Sequence, residues 1–152
     1  MRESGASKVV GARPEEVYAA FTDPDALVAW LPPAPMTGRM HRFDARVGGG
    51  YRMSLVYPPT ERTVRGKTTD REDVVEVRFV ELTPPRSIVE AVRFVSPDPA
   101  FAGEMTLTVT LEPVADGTEV TLAFANLPPG LRPEDNDAGA RASLEQLARH
   151  FG

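Results

Sequence analysis

Hydrophobic residues recur at helical spacing near the start of the chain and then alternate with polar residues over residues 36–124. Pro14, followed by two acids, is typical of a first helical turn, and the prolines Pro32, Pro33 and Pro35 end the helical pattern. Two short helices are therefore predicted, with apolar stripes of Val17, Ala20 and Phe21 and of Leu27, Trp30 and Leu31.

The first alternating segments predict a β-hairpin. Three glycines at 48–50 supply its turn, and two prolines at 58–59 close its second strand. The residues predicted on the inner face are His41, Phe43, Ala45 and Val47 on the first strand and Tyr51, Met53, Leu55 and Tyr57 on the second. Residues 60–73 are polar and predict a loop or an exposed edge strand.

A second hairpin is predicted from residues 74–83 and 86–95, which flank a Pro-Pro turn. A register in which Thr83 faces Arg86 collects the apolar residues on one face, whereas a slip by one residue would scatter them. The apolar face then holds Val75, Val77, Phe79, Ile88, Val92 and Phe94, and the other face holds the pair Glu76 and Arg93. Glu90 also falls on the apolar face, where a carboxylate is unexpected.

Two more alternating segments and a long helix complete the pattern. Asp116-Gly117 predicts a hairpin turn between strands, and a loop at 127–136 leads into a helix at 134–151. The apolar stripe of that helix is Ala140, Leu144, Leu147 and Phe151. With a first strand at residues 7–12, the order predicts an α+β fold. In it, a curved antiparallel sheet of about six or seven strands wraps around the C-terminal helix.

Composition excludes several kinds of protein. The chain has 152 residues and is expected to form a single domain over residues 1–152. It has no cysteine and only two histidines, so we expect no disulfide scaffold, metal site or metal cofactor. A net charge of −5 argues against nucleic-acid binding. Without an apolar run long enough for a signal peptide or a membrane span, we expect no membrane insertion and a cytoplasmic location.

Five segments carry a resemblance to a known family. They are ARPEEVYAAFTDPDALVAWLPP, FDARVGGGYRM, FVELTPPRSIVEAV, MTLTVTLEPVADGTEVTL and EDNDAGARASLEQLARHF. In this order they resemble the SRPBCC superfamily of START-like proteins, and within it homologues of the C-terminal domain of the activator of the heat-shock protein 90 ATPase. The resemblance spans about residues 7–151 and implies the helix-grip fold, with a deep cavity between sheet and helix. Relatives include lipid carriers, aromatic polyketide cyclases and hormone receptors, so the fold alone does not select a function.

One position departs from the pattern of that family. Members often carry a Gly-Trp pair early in the last helix, four residues before a leucine, whereas this chain has Gly139-Ala140 before Leu144. A methyl group in place of an indole is expected to enlarge the cavity there, unless Phe101 or Met105 fills the space.

Glu90 and His41 are the candidate catalytic residues. A carboxylate on an apolar face costs on the order of several kcal/mol unless it is paired, protonated or hydrated. In a cavity, Glu90 would orient a ligand hydroxyl or act as a general base; alternatively it is satisfied structurally. His41 is predicted on the inner face and would complete an acid–base pair; alternatively it is a half-exposed histidine near a strand start.

The remaining candidates would line the cavity, or would be ordinary core in a filled barrel. Trp30 would stack on a planar ligand or pack in the core. The full set of predicted ligand-binding residues is Trp30, Met40, His41, Phe43, Tyr51, Met53, Tyr57, Phe79, Glu90, Val92, Met105, Leu107, Phe124, Ala140 and Leu144.

Basic residues are concentrated in residues 39–71. They are Arg39, Arg42, Arg46, Arg52, Arg62, Arg65, Lys67 and Arg71. Such a segment would dock an acidic partner or a membrane surface, but three of its arginines alternate with apolar residues as on a solvated outer face, which is the favoured interpretation.

Three functions follow, in order of preference. The first is binding of a small hydrophobic molecule, aromatic or lipid-like, in the cavity. The second is a cofactor-free cyclase, dehydratase or hydrolase that uses Glu90 and His41. The third is a chaperone-associated stress-response module that binds its partner through the outer face of the sheet. The sequence indicates no oligomeric state.

Overall fold

The fold is an antiparallel sheet with three α-helices, seen in a computed structural model that describes residues 3–59, 66–69 and 71–152. The strands are β1 (Glu3–Val10), β2 (Thr37–Asp44), β3 (Gly50–Val56), β4 (Glu72–Thr83), β5 (Ser87–Val95), β6 (Glu104–Val114) and β7 (Gly117–Ala125). The helices are α1 (Pro14–Phe21), α2 (Pro24–Trp30) and α3 (Pro133–His150), and a short 3₁₀ helix (Pro99–Phe101) precedes β6. This order of elements confirms the predicted α+β helix-grip fold.

The sheet brings the two ends of the chain together. Its strand order is β1-β7-β6-β5-β4-β3-β2, so the first strand lies beside the last. Helix α3 follows β7 and packs against β1. The predicted stripe of α3 is its buried face: Leu144 and Leu147 are fully buried, Ala140 is buried, and Phe151 is half-buried. The core therefore lies between the sheet and α3.

The first strand is longer at its start than predicted and ends earlier. Residues 3–6 pair with β7, and β1 stops at Val10. The side chains of this segment are small or polar and lack alternation, so only pairing with another strand defines it. Asp137 of α3 strengthens this pairing by accepting a hydrogen bond from the Gly5 amide at 2.7 Å.

The predicted glycine turn joins β2 to β3. Gly50 has φ of 151°, and a Cβ there would lie 1.8 Å from the carbonyl oxygen of Val77, so the close approach of β3 to β4 requires glycine. Ala45 and Val47 were predicted on the inner face of β2. They lie instead in the turn and are exposed, because β2 ends at Asp44.

The predicted register of the second hairpin is confirmed along most of its length. Phe79 pairs with Glu90, and Glu76 pairs with Arg93. The apolar side chains of both strands consequently share one face, and Glu90 lies on that face with them.

Near its turn, this hairpin differs from the prediction. The pairing shifts between Phe79 and Glu81, so Thr83 faces Ser87 and not Arg86. The extra residue is a β-bulge, which increases local twist and is not visible in a hydrophobic pattern of period two. β4 also begins at Glu72, inside the segment predicted as polar loop or edge strand; residues 60–65 and 70 of that segment lie outside the described residues.

Side-chain hydrogen bonds attach the end of α2 to α3. The amide nitrogen of Gln146 donates to the carbonyl oxygens of Trp30 at 2.7 Å and Pro32 at 2.6 Å, and its oxygen accepts from the Ala34 amide at 2.8 Å. Ser143 donates to the carbonyl of Leu31 at 2.6 Å. These bonds satisfy backbone groups that the prolines leave without helical partners. They also hold α2 across the open side of the sheet.

Candidate functional site

A cavity of about 600 Å³ lies between the inner face of the sheet, α2 and the first half of α3. Ten of the predicted ligand-binding residues line it: Trp30, Tyr51, Met53, Tyr57, Glu90, Val92, Met105, Leu107, Phe124 and Ala140. Their strand positions share one parity, as the alternation implied. Most of the lining is apolar, which suits an apolar ligand with a few polar contacts.

Four other predicted residues pack beside the cavity and belong to the core. Phe79 is fully buried, with its ring centroid 6.1 Å from that of Tyr51 and 6.2 Å from that of Phe43. Leu144 is fully buried, and Met40 is half-buried against the core. These residues support the wall and are not part of the lining.

His41 is not in the cavity, contrary to the prediction. Met40 pairs with Met53 and Arg42 with Arg52, so His41 is the extra residue of a β-bulge and the alternation breaks there. Its side chain is exposed, and its Nε2 lies 2.7 Å from the hydroxyl oxygen of Ser54. Because Met53 lines the cavity, its neighbour Ser54 faces the opposite side of the sheet, and so does His41. The predicted pair of Glu90 and His41 is therefore not formed.

Glu90 lies in the cavity wall and is only 3% exposed. Its neighbours on the flanking strands are Phe79 and Leu107. Burial among these apolar side chains raises the pKa of Glu90 to about 8, because the charged form loses its hydration. The carboxyl group is thus mainly protonated at neutral pH.

Tyr51 is the second polar side chain of this buried part of the wall. Burial raises the pKa of its hydroxyl well above the ordinary value, and a negative charge on Glu90 would raise it further. Phe79 links the two residues, since its ring centroid is 6.1 Å from that of Tyr51 and it is the cross-strand partner of Glu90. The deep part of the cavity therefore presents a neutral carboxyl group and a phenol.

A buried ion pair lies at another part of the lining and was not predicted as a site. The ammonium group of Lys67 is 3.1 Å from a carboxylate oxygen of Asp73, whose other oxygen accepts from the Lys67 amide at 2.6 Å. The ammonium also lies over the rings of Phe94, at 4.9 Å, and Phe101, at 5.6 Å. Both residues belong to the polar segment 60–73, where no periodicity indicates which side chains turn inward.

Trp30 closes the α2 side of the cavity. It is 1% exposed, and its indole N–H donates to the carbonyl of Ala20 at 3.0 Å. Its ring packs edge-on against that of Phe21, with the ring centroids 4.8 Å apart. Trp30 therefore packs in the core, one of the two predicted alternatives, and because it also lines the cavity, stacking on a ligand stays a prediction.

Position 140 carries a small side chain beside the cavity. Gly139 and Ala140 line the cavity together with Phe101 and Met105. Neither of these larger side chains closes the cavity, so a volume of about 600 Å³ remains beside the start of α3.

The basic residues of β2 and β3 lie on the outer face of the sheet. Glu76 accepts a hydrogen bond from Arg52 at 2.8 Å, is in close contact with Arg93, and lies 4.0 Å from Arg42. Arg46 pairs with its own neighbour in the turn, Asp44, at 2.7 Å. Arg62 and Arg65, predicted members of the basic segment, lie outside the described residues.

Metal-binding clusters and membrane-spanning helices are both absent from the described part of the chain. It contains no cluster of three or more His, Asp or Glu side chains that could hold a metal ion. None of its helices is long and apolar enough to cross a membrane.

Comparison with known proteins places this geometry in a family. The sequence pattern of the family described as activator of Hsp90 ATPase homolog 1-like protein matches residues 11–152. A search of curated proteins found no match.

Solved structures of several bacterial proteins resemble this one. Protein CV1439 from Chromobacterium violaceum is 32% identical, with a TM-score of 0.86 over 98% of this chain and 96% of that chain. A protein from Arthrobacter aurescens (18% identical, TM-score 0.80, covering 98% of this chain and 85% of that one) shares the fold. So does the AHSA1-like protein from Aeromonas hydrophila (17% identical, TM-score 0.74, covering 98% and 91%). The chain belongs to the activator of Hsp90 ATPase homolog 1-like family, within the START-like superfamily.

Proposed function

We propose that this protein reversibly binds a small, largely apolar molecule, aromatic or lipid-like, in the cavity between the sheet and α3. The observation that supports the proposal is the cavity itself. Its volume of about 600 Å³ lies within the usual range for small-molecule sites, roughly 300–1,000 Å³. Protein cores are normally packed without voids much larger than a water molecule, so an apolar space of this size points to a ligand.

The position of the cavity supports the same proposal. One wall is the sheet, and the others are α2 and α3, which the side chains of Gln146 and Ser143 hold together. The wall is thus built by hydrogen bonds and does not depend on a ligand to fill it. Such a preformed site avoids the entropic cost of ordering its wall on binding.

The other two functions are less well supported. The acid–base enzyme required Glu90 and His41 in one cavity, and they lie on opposite faces of the sheet. The chaperone-associated module required free arginines on the outer face. Arg52 and Arg46 are instead paired with Glu76 and Asp44 within the chain.

Filling the cavity tests the proposal. Ala140→Trp places an indole in the lining and is expected to weaken binding of a neutral apolar fluorophore, N-phenyl-naphthylamine, by about tenfold or more, since the space is taken by the protein itself. Native mass spectrometry of freshly purified protein should show an adduct with the wild type and none with the variant.

The matched control is Ala123→Trp. Ala123 is exposed on β7 and outside the lining, so the same substitution adds an indole without entering the cavity. Equal fluorophore binding by the wild type, the control and Ala140→Trp would contradict the proposed function.

A further inference from the structure

Most polar side chains that line the cavity already have a partner. Asp73 is bound by Lys67, Ser143 donates to the carbonyl of Leu31, and Asn136 donates to the hydroxyl of Ser4 at 3.0 Å. These groups need nothing from a ligand. They also contribute little to ligand selection, because a ligand would have to break an existing bond to use them.

Glu90 and Tyr51 differ from these residues. Each is 3% exposed, and within the described residues neither side chain has a hydrogen-bond partner. The apolar side chains of Phe79 and Leu107 flank Glu90 and offer it none. No side-chain N or O atom of the described residues is both fully enclosed and unpaired, so the polar atoms of Glu90 and Tyr51 open onto the cavity. A ligand that covers them without a hydrogen bond leaves them unpaired at a cost on the order of 1–3 kcal/mol, and a ligand that supplies the bond avoids that cost.

The charge of these two groups favours a neutral ligand. The pKa of Glu90 is raised to about 8 by burial, so at neutral pH its carboxyl group can donate as well as accept. The phenol of Tyr51 is a second donor. Such a neutral acid beside a tyrosine suits an oxygen that accepts two hydrogen bonds.

The charged groups of the lining lie elsewhere. Asp73 precedes Phe79, the partner of Glu90, by six residues on β4, which is about 20 Å along a strand. Lys67 is held at Asp73, and the remaining charged lining residues, Arg132 and Asp135, are exposed at the start of α3. No cation of the described lining is thus placed to compensate an anion beside Glu90.

We propose that Glu90 and Tyr51 form the polar anchor of the cavity and select ligands that present one uncharged oxygen acceptor, such as a ketone or lactone carbonyl, on an apolar body. This inference rests on the proposed binding function and names the class of ligand. A carboxylate at the anchor would be buried without a cation, and an ammonium group would ionise Glu90 and bury the resulting ion pair, whose desolvation opposes binding. A hydrocarbon would leave both anchor groups without partners.

The experiment compares four naphthalene probes of similar shape in displacement of N-phenyl-naphthylamine at neutral pH. They are acetylnaphthalene, isopropenylnaphthalene, naphthoate and naphthylethylamine, which present a ketone, the matching hydrocarbon, a carboxylate and an ammonium group. The wild type is expected to bind the ketone about tenfold more tightly than each of the others, because polar sites discriminate strongly against ligands that leave them unpaired.

Variants of the two anchor residues test whether these side chains cause the preference for the ketone. Tyr51→Phe and Glu90→Leu should each reduce the preference for ketone over hydrocarbon by about fivefold to tenfold. Glu90→Gln should keep most of it, because an amide also donates. Val92→Ala changes the lining without touching the anchor, so it should keep the preference even where overall affinity falls. Circular dichroism identifies any variant that fails to fold. If a variant does not fold, the preference of the wild type among the four probes tests the anchor by itself.

The outcomes separate the two proposals. If the wild type binds ketone and hydrocarbon equally while Ala140→Trp binds neither, the cavity is a binding site and the anchor is refuted. A preference for naphthoate or naphthylethylamine also refutes the anchor. If no probe binds and the filled variant behaves like the wild type, the binding function itself fails.

Discussion

At the residue scale, the local sequence determines the orientation of Glu90, and the tertiary environment determines its protonation. Alternation in β5 turns its side chain inward, and the neighbouring strands surround it with apolar groups. A carboxylate there would be desolvated, so the carboxyl group takes up a proton near neutral pH. Folding therefore includes the free-energy cost of protonating and burying this carboxyl group, which an apolar residue at this position would avoid.

This cost predicts a pH-dependent stability. The pKa of Glu90 is about 8 in the folded protein and near 4.5 in the unfolded chain, so the folded protein binds more protons between these pH values. The stability that the protonated Glu90 contributes is therefore fully present below about pH 4.5. It is lost progressively as the pH rises to about 8. Glu90→Gln should remove this decline and be more stable than the wild type at about pH 8, by on the order of 3 kcal/mol.

Urea unfolding at about pH 5, 7 and 8 measures the effect. Glu119→Gln, an exposed position on β7, is the control and should follow the wild type. A difference between Glu90→Gln and the wild type that does not change with pH would contradict the assigned protonation.

At the element scale, two single-residue bulges alter the orientation of side chains in β2 and the pairing near the hairpin turn of β4. The bulge in β2 turns His41 outward and Met40 inward, and the bulge in β4 shifts the hairpin turn. Helix α2 is held in place by hydrogen bonds, which side chains of α3 donate to the carbonyl groups at its C-terminal end. The wall of the cavity on this side is therefore only as firm as its attachment to α3.

We expect Gln146→Ala to loosen that attachment. It removes three hydrogen bonds to the segment after α2, which should lower the free energy of unfolding by about 1–3 kcal/mol. Amide hydrogen exchange should become faster in residues 31–36. Glu145→Ala, an exposed neighbour on α3, is the control; equal exchange in both variants would show that the segment is held by other contacts.

At the scale of the whole molecule, the cavity joins distant parts of the chain. Trp30 of α2, Tyr51 of β3, Phe124 of β7 and Ala140 of α3 all line it. These elements surround the cavity only when the sheet, with β1 paired to β7, has closed over α3. A ligand in the cavity therefore binds the complete fold and has no equivalent site in the unfolded chain.

Ligand should therefore raise the thermal unfolding temperature of the wild type. Free ligand at about one hundred times its dissociation constant adds about 2.7 kcal/mol to the free energy of unfolding, which is several degrees for a chain of this size. Differential scanning calorimetry with acetylnaphthalene measures the shift. Ala140→Trp should show little or none; a shift as large as that of the wild type would place the ligand outside the cavity.

Alternation and helical periodicity were enough to predict an α+β fold with an antiparallel sheet and a long C-terminal helix, the pairing of Glu76 with Arg93, and the buried position of Glu90. They succeed because each depends on which face of an element is apolar, a property that neighbours in sequence determine. The resemblance to START-like proteins supplied the cavity, since a pattern of apolar residues does not distinguish a lined cavity from a filled core.

Only the tertiary structure decided the position of His41, the ion pair of Lys67 with Asp73, and the absence of partners for Glu90 and Tyr51 within the described chain. A bulge adds one residue without changing the local composition, so it reverses the orientation of a side chain without a signal in the pattern. Hydrogen-bond partners likewise come from strands and helices far apart in sequence. The sequence by itself determined the apolar face of most elements, and the packing of those elements decided which polar groups of the wall remain available to a ligand.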